Sequence, residues 1–365
     1  MTLWQVHHFR ASERLLYTCG GIYPYDLDVG GLITPALDYS GQFVVVASYY
    51  YAPRMSLNSG VDWSVVDPWP GYAGFRALDC NTDGTHIIAC EYPGRLQVSW
   101  DQGATWPYGL QGSNRYWSNA RMSLNGDVCL AFDEYSLYYN GGRFYISTDG
   151  GSTWITSSIG TTSPNTDVDP RLYYGMSCSA TGAKVAVIKE GVYYYEGGIP
   201  KKEKNILWLS NSYGANFSWT KTLPNGAIHG ANWVDVDMDS DGSVIVICEG
   251  TSYYSYADAG SIWVSKDGGG TWAQKYPLND GLGHSWQTVS CSDDGSVILA
   301  KKRNNQYYDS LWYSWNTGTD WREVKPAGDV NIYWGKPIVS GSGSILSIVN
   351  PSTPYDMYIC QLATL

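Results

Sequence analysis

Apolar and polar residues alternate with period two over much of the chain, and the alternation restarts at regular intervals. Leu78 and Cys80 flank Asp79, Val236 and Met238 flank Asp237, and Val289 and Cys291 flank Ser290. A period of two is the pattern of a strand whose two faces meet different surroundings. Each such segment runs into a turn ending in glycine, as in Thr82-Asp83-Gly84 or Asp293-Asp294-Gly295. A dense apolar stretch follows: Val44–Ala47, Ile87–Cys90, Val185–Ile188, Val244–Cys248 and Val297–Ala300. Short continuous apolar runs of this kind predict strands buried on both faces. No window shows helical periodicity.

The turn glycines form a set of seven: Gly41, Gly84, Gly126, Gly182, Gly242, Gly295 and Gly343. Nine residues before them stand Leu32, Phe75, Trp117, Tyr173, Trp233, Trp286 and Trp334. A third predicted strand, such as Ser261–Ser265, leads into the pattern Ser-x-Asp-x-Gly-x-Thr-Trp at Ser99–Trp106, Ser147–Trp154 and Ser265–Trp272. Looser copies run Ser56–Trp63, Ser210–Trp219 and Ser314–Trp321, with Asn58, Ser212 and Asn316 in place of the aspartate. A fourth strand begins at each Trp. Repetition of a four-stranded antiparallel meander is the mark of a propeller blade. The expectation is an all-β fold, one domain over 1–365, forming a seven-bladed β-propeller; six blades is the alternative. The last repeat, about 332–365, supplies only three strands. The segment Thr2-Leu-Trp4-Gln-Val6 is expected to add the fourth, because an open ring would leave strand edges unpaired.

Composition narrows the function. The 365 residues are 44% hydrophobic and 16% charged, with 17 Trp and 31 Tyr, so the chain can bury a large core. The net charge of -11 argues against nucleic acid, which needs a basic face for phosphates. No apolar run reaches the roughly 18 residues of a membrane span, and Met1–His8 lacks the regions of a signal peptide. Cytoplasmic synthesis is expected, with a virion or a lysis-released particle as a possible destination. The eight Cys show no disulfide framework. Cys80, Cys178 and Cys291 share one repeat position with Leu37, Met122, Met238 and Val339, so the cysteines read as buried free thiols in a reducing place of synthesis.

Ser-x-Asp-x-Gly-x-Thr-Trp resembles the Asp-box, or bacterial neuraminidase repeat, of the sialidase-like propellers. That motif also occurs in other glycoside hydrolases, in sortilin-type receptors and in a photosystem assembly factor. The resemblance spans the first six repeats. It implies a propeller and leaves the activity open, because fold does not give function. The arginine triad of sialidases, opened by an Arg-Ile-Pro motif, is absent.

Strand direction puts the Gly turns and the box turns on one face. The second-to-third-strand connections lie on the other, and they carry tyrosines in every repeat. Tyr50, Tyr92, Tyr138, Tyr194, Tyr254 and Tyr307 are the binding candidates there. Tyrosine offers rigid area with a polar end to a glycan or a protein. Trp233 and Trp286 could act as sugar platforms at the channel mouth, or pack between blades. The leading expectation is a non-catalytic recognition or structural module for glycan or protein, serving as a surface or attachment subunit of a larger assembly such as a virion. The rival is a glycoside hydrolase at the central cleft, which needs two carboxylates flanking the bond. Asp79, Asp235 and Asp237 on inner strands, and Glu91 and Glu249 at the ends of second strands, are the candidates for it. Asp237-x-Asp239-x-Asp241-Gly242 resembles the first half of a Ca2+ loop, although it coincides with an ordinary repeat turn. Alternating Asp235, Asp237 and Asp239 on one strand call for a cation, a basic neighbour or raised pKa values.

Overall fold

Each expected repeat folds as a four-stranded antiparallel sheet, and there are seven such sheets. The computed structural model describes residues 17–22, 32–48, 53–66, 74–91, 94–133, 143–157, 159, 173–191, 193–196, 199–202, 204–215, 218–224, 226, 230–250, 260–280, 282–303, 308–326, 332–350 and 357–362. Blade 2 shows the plan: Phe75–Cys80 is innermost, followed outward by Ile87–Glu91, Gly94–Ser99 and Tyr108–Arg115. Blade 4 adds a two-stranded ribbon, Tyr193–Glu196 paired with Ile199–Lys202, between its second and third strands.

The hydrophobic core consists of layers between blades. Blades 1 and 2 share Val45, Phe75, Leu78 and Ile87. Equivalent clusters fill the other interfaces, and Val44, Val46, Ile345 and Val349 close the last interface between blades 7 and 1. The inner strands of the first six blades each slip register just after their first residue, as between Phe75 and Ala77 or Trp233 and Asp235. A bulge of this kind re-aims a side chain. It turns the leading aromatic toward the preceding blade, joining Leu78 and Cys80 in blade 2.

The turn glycines pack as a ring. Each has positive φ, between 68° and 82°. An added Cβ would strike the residue two places after the turn glycine of the preceding blade: Phe43 at Gly84, Val128 at Gly182, Ile345 at Gly41. The last pair closes the circle. At Gly84 the Cβ would lie 2.5 Å from the Phe43 ring. Gly84→Ala should therefore cost about 3 kcal/mol, from left-handed backbone and overpacking together, read as a lower urea midpoint.

A second circle is made of backbone hydrogen bonds. Tyr39 N donates to Thr82 O, Thr82 N to Leu124 O, Asn125 N to Ala180 O, and Ala180 N to Ser240 O. Ser240 N donates to Asp293 O, Asp293 N to Gly341 O, and Ser342 N returns to Tyr39 O. The box turns dock onto the Gly turns of their own blades, as when Gln102 N donates to Thr85 O. Within a box, Ser99 Oγ accepts from Gly103 N at 2.8 Å, Asp101 Oδ1 accepts from Thr105 N at 2.7 Å, and Trp106 Nε1 donates to Gly103 O at 3.0 Å. Where Asn316 replaces the aspartate, Asp320 replaces the threonine and the bond reverses, Asn316 Nδ2 donating to Asp320 Oδ2 at 2.8 Å. In the longer copy Trp219 Nε1 reaches Ser157 Oγ, which donates to Gly214 O.

The N-terminal part of the chain closes the ring, but through a different segment from the one expected. Tyr17–Ile22 pairs antiparallel with Met357–Leu362 as the outermost strand of blade 7. Thr2–Val6, with Trp4, lies outside the described residues. Tyr17-Thr-Cys-Gly-Gly-Ile has two adjacent glycines, so its apolar alternation is too weak to read. The inner strand of blade 7 shortens to Ile338–Val339, after a proline that has no N–H to donate. The reading of all cysteines as free thiols also needs correction. Cys80, Cys90, Cys129, Cys178, Cys248 and Cys291 are free, but Cys360 is disulfide-bonded.

Candidate functional site

Two places could carry function: the axial channel and the face opposite the box turns. Residues five before each turn glycine line up around the axis as Ala36, Asp79, Arg121, Ser177, Asp237, Ser290 and Ile338. Most of them border a cavity of about 90 Å³ to which all seven blades contribute.

The inner-strand acids face the next blade and bind its backbone. Asp79 Oδ2 accepts from Met122 N at 2.9 Å, and Asp237 Oδ2 accepts from Cys291 N at 3.0 Å. Asp235 Oδ2 accepts from Val289 N at 3.1 Å, and Ser290 Oγ does the same for Val339 N at 3.3 Å. Asp237 Oδ1 also takes Ser177 Oγ at 2.7 Å. These carboxylates are interblade acceptors, placed where inner strands run too far apart to form a sheet with each other.

Their charge is met in three ways. Lys336 Nζ sits 2.8 Å from Asp235. Arg121 Nη1 lies 3.8 Å from Asp79 Oδ2. Burial works against the charged guanidinium, yet Asp79, Asp237 and Asp235 outweigh it and hold Arg121 more firmly protonated than usual. Elsewhere the carboxylates shift. Burial, only partly offset by Arg121, raises Asp79, and burial raises Asp239. Asp293, at the channel end nearest the Gly turns, is pushed up to about 6 by burial and by Asp237, Asp294 and Asp239.

Asp293 gives a signed pH prediction. A carboxyl whose folded pKa exceeds its unfolded value destabilises the fold once it ionises. The penalty is complete above pH ~6 and absent below pH ~4. Asp293→Asn should therefore stabilise the protein by about 2 kcal/mol at pH 8, and the gain should vanish by pH 4 in urea titrations. Thr82 and Ser240 occupy the equivalent place in other blades.

The suggested Ca2+ loop spends its carboxylates separately. Asp237 goes to Ser177 and Cys291 N, Asp239 Oδ2 accepts from Ser243 Oγ at 3.0 Å, and Asp241 Oδ1 from Ser243 N at 2.7 Å. Among the described residues no group of three or more His, Cys, Asp or Glu side chains is placed to hold a metal ion. Glu91, at the end of its second strand, accepts from Arg95 N at 3.0 Å and is raised mainly by burial. Glu249 holds the matching place in blade 5, opposite Trp233.

Trp233 and Trp286 are 0% and 1% exposed and lie within interblade core, so neither presents a ring to a ligand. The bulge that turns them inward explains their fixed spacing. Tyr50, Tyr92, Tyr138, Tyr254 and Tyr307 lie outside the described residues. The backbone of Tyr194 stands in the blade 4 ribbon opposite Lys201.

On the face that would carry these tyrosines, an ion pair within blade 6 holds the backbone of Trp334 in blade 7. Lys301 Nζ donates to Trp334 O at 2.7 Å and lies 3.6 Å from Asp309 Oδ2, which accepts from Trp334 N at 3.0 Å. Sequence reasoning missed Arg121, Lys336, Asp293 and this link. A signal for Arg121 existed: it stands five residues before its turn glycine, where Asp79 and Asp237 stand before theirs.

No family model matches the chain, and no curated protein matches it in sequence. Solved structures do match its fold, and they are β-propellers. YCF48 bound to a D1 peptide superposes with a TM-score of 0.60 at 10% identity, covering 95% of each chain. The propeller domain of Cps50 (Swd1) from Myceliophteria thermophila gives 0.63 at 10% identity, over 94% of this chain and 100% of that one. A GH74 xyloglucanase from Xanthomonas campestris gives 0.61 at 16% identity, over 92% of this chain and 52% of that one. The chain is thus a seven-bladed β-propeller, a class that includes both peptide-binding proteins and hydrolases. Among the described residues no helix is long and apolar enough to cross a membrane.

Proposed function

We propose that this propeller is a non-catalytic recognition module that binds a protein segment or a glycan on the face opposite the box turns. The observation that carries this reading is the unequal variation of the two faces. On the box face the same turns recur and are joined in one hydrogen-bonded circle. On the other face the step from second to third strand ranges from Glu91–Gly94 to Lys189–Ile206, the latter holding an extra ribbon. Connections that vary on a constant scaffold are where binding specificity is built. The tyrosines fall in these connections, and YCF48 offers a propeller of similar fold whose structure holds a peptide. An exposed subunit of a larger assembly, such as a virion, is the setting we propose for such a surface.

The hydrolase reading loses ground because Asp79, Asp235 and Asp237 already accept backbone N–H groups. A glycan array followed by a hydrolysis assay on the hits tests the choice. Binding without turnover, weakened at least tenfold in a Tyr193→Ser/Tyr194→Ser/Tyr195→Ser variant, is the expected result. Turnover abolished by Glu91→Gln or Glu249→Gln would overturn it.

A further inference from the structure

We infer that Cys19 is the disulfide partner of Cys360, and that this bond is a redox-sensitive latch holding the two ends of the chain in one blade. Cys360 is fully buried and disulfide-bonded. Six of the remaining cysteines are free. The seventh, Cys19, is the residue directly opposite Cys360 in the antiparallel pairing of Tyr17–Ile22 with Met357–Leu362. Directly opposed residues in antiparallel strands have Cα atoms about 4.5–5.5 Å apart, within the range that a disulfide spans.

The position is one where a covalent bond has most to do. Among the described residues Tyr17–Ile22 is the outermost strand of blade 7 and pairs with one neighbour. Two of its six residues are glycines, which lose the most chain entropy on ordering and add no side chain to the blade. The bond would close a loop of roughly 340 residues, and longer closed loops restrict the unfolded chain more. Each of the other six blades is built from strands that follow one another along the chain.

The free thiols are poorly suited to compete. Burial pushes Cys90 and Cys178 up to about 12 and moves Cys80, Cys129, Cys248 and Cys291 well above the ordinary thiol range. Exchange needs a thiolate with access to the disulfide. Opening of the latch therefore falls to an external reductant such as a dithiol, which reaches the buried Cys360 sulfur when the edge strand lifts. The dithiol gives up two protons and two electrons and closes to its own disulfide, while each protein sulfur gains one proton and one electron and becomes a thiol. Reduction removes the covalent tie and leaves the backbone pairing of Tyr17–Ile22 with Met357–Leu362 in place.

The test is a thiol count on the full chain after equilibration in an oxidising glutathione buffer. Denaturation in iodoacetamide should give six alkylated cysteines and a cross-linked peptide pair containing Cys19 and Cys360. Dithiothreitol beforehand should raise the count to eight. In the native protein, dithiothreitol should speed amide exchange across Met357–Leu362 at least tenfold, with little change at Ile298–Arg303. Cys19→Ser should show seven free thiols and the faster exchange without reductant. Eight alkylations in the oxidised wild type, or a cross-link to another cysteine, would overturn the pairing. Unchanged exchange after full reduction would overturn the latch.

Discussion

Lys301→Met is expected to lower stability by about 3–5 kcal/mol, the usual cost of removing one partner of a buried ion pair. The Lys301 and Asp309 side chains are 6% and 0% exposed. Burial drives Asp309 up and Lys301 down, and their mutual attraction offsets part of each shift. Loss of the ammonium leaves Asp309 with the Trp334 N–H, and Trp334 O without its Lys301 donor. Both effects fall on the join between blades 6 and 7. A Lys301→Met/Asp309→Leu double variant should recover much of the loss, since it removes the stranded charge. Urea denaturation of the three proteins gives the comparison. Equal stability of Lys301→Met and wild type would mean that the pair is not held as described.

Arg121→Met is the second large effect, about 3 kcal/mol at pH 8. Arg121 is the cation set among Asp79, Asp237 and Asp235 at the axis. Without it, Asp79 keeps its burial and loses its main opposing charge. A carboxyl raised further in the folded state penalises that state most where it is ionised. The loss should accordingly shrink as the pH falls from 8 and the raised Asp79 carboxyl takes up its proton. A loss that grows on acidification would contradict the assignment of Arg121 as the counter-charge.

The fold was legible because the ring is built from repeated local rules. Glycine at each turn marks both a left-handed backbone and the place where the preceding blade inserts a side chain, so Gly41 to Gly343 could be aligned without coordinates. The large apolar residue nine positions earlier was equally visible, although the bulge that buries Trp233 and Trp286 was not. Closure by the N-terminal part followed from the missing strand of blade 7. Its location did not, because Gly20 and Gly21 interrupt the alternation that identifies other strands.

The candidate site was legible in part. The acids Asp79, Asp235 and Asp237 stood out in sequence, but their work is set by neighbours some 43 to 101 residues away, such as Met122, Val289 and Lys336. No local pattern links such partners. The Ca2+-like spacing at Asp237, Asp239 and Asp241 shows the same limit. Three acids two residues apart on a strand entering a turn point to different places: the next blade, the turn interior and the turn tip.

The most direct measurement of the axial account is the stability of Asp237→Ala in urea. Asp237 accepts from Cys291 N across the blade interface, from Ser177 Oγ, and from Met238 N in its own strand. If the inner-strand acids fasten the blades, its removal should cost about 3 kcal/mol, the sum of a few lost and partly buried hydrogen bonds. An unchanged urea midpoint, with loss of ligand binding or turnover, would show instead that the axis is the working site.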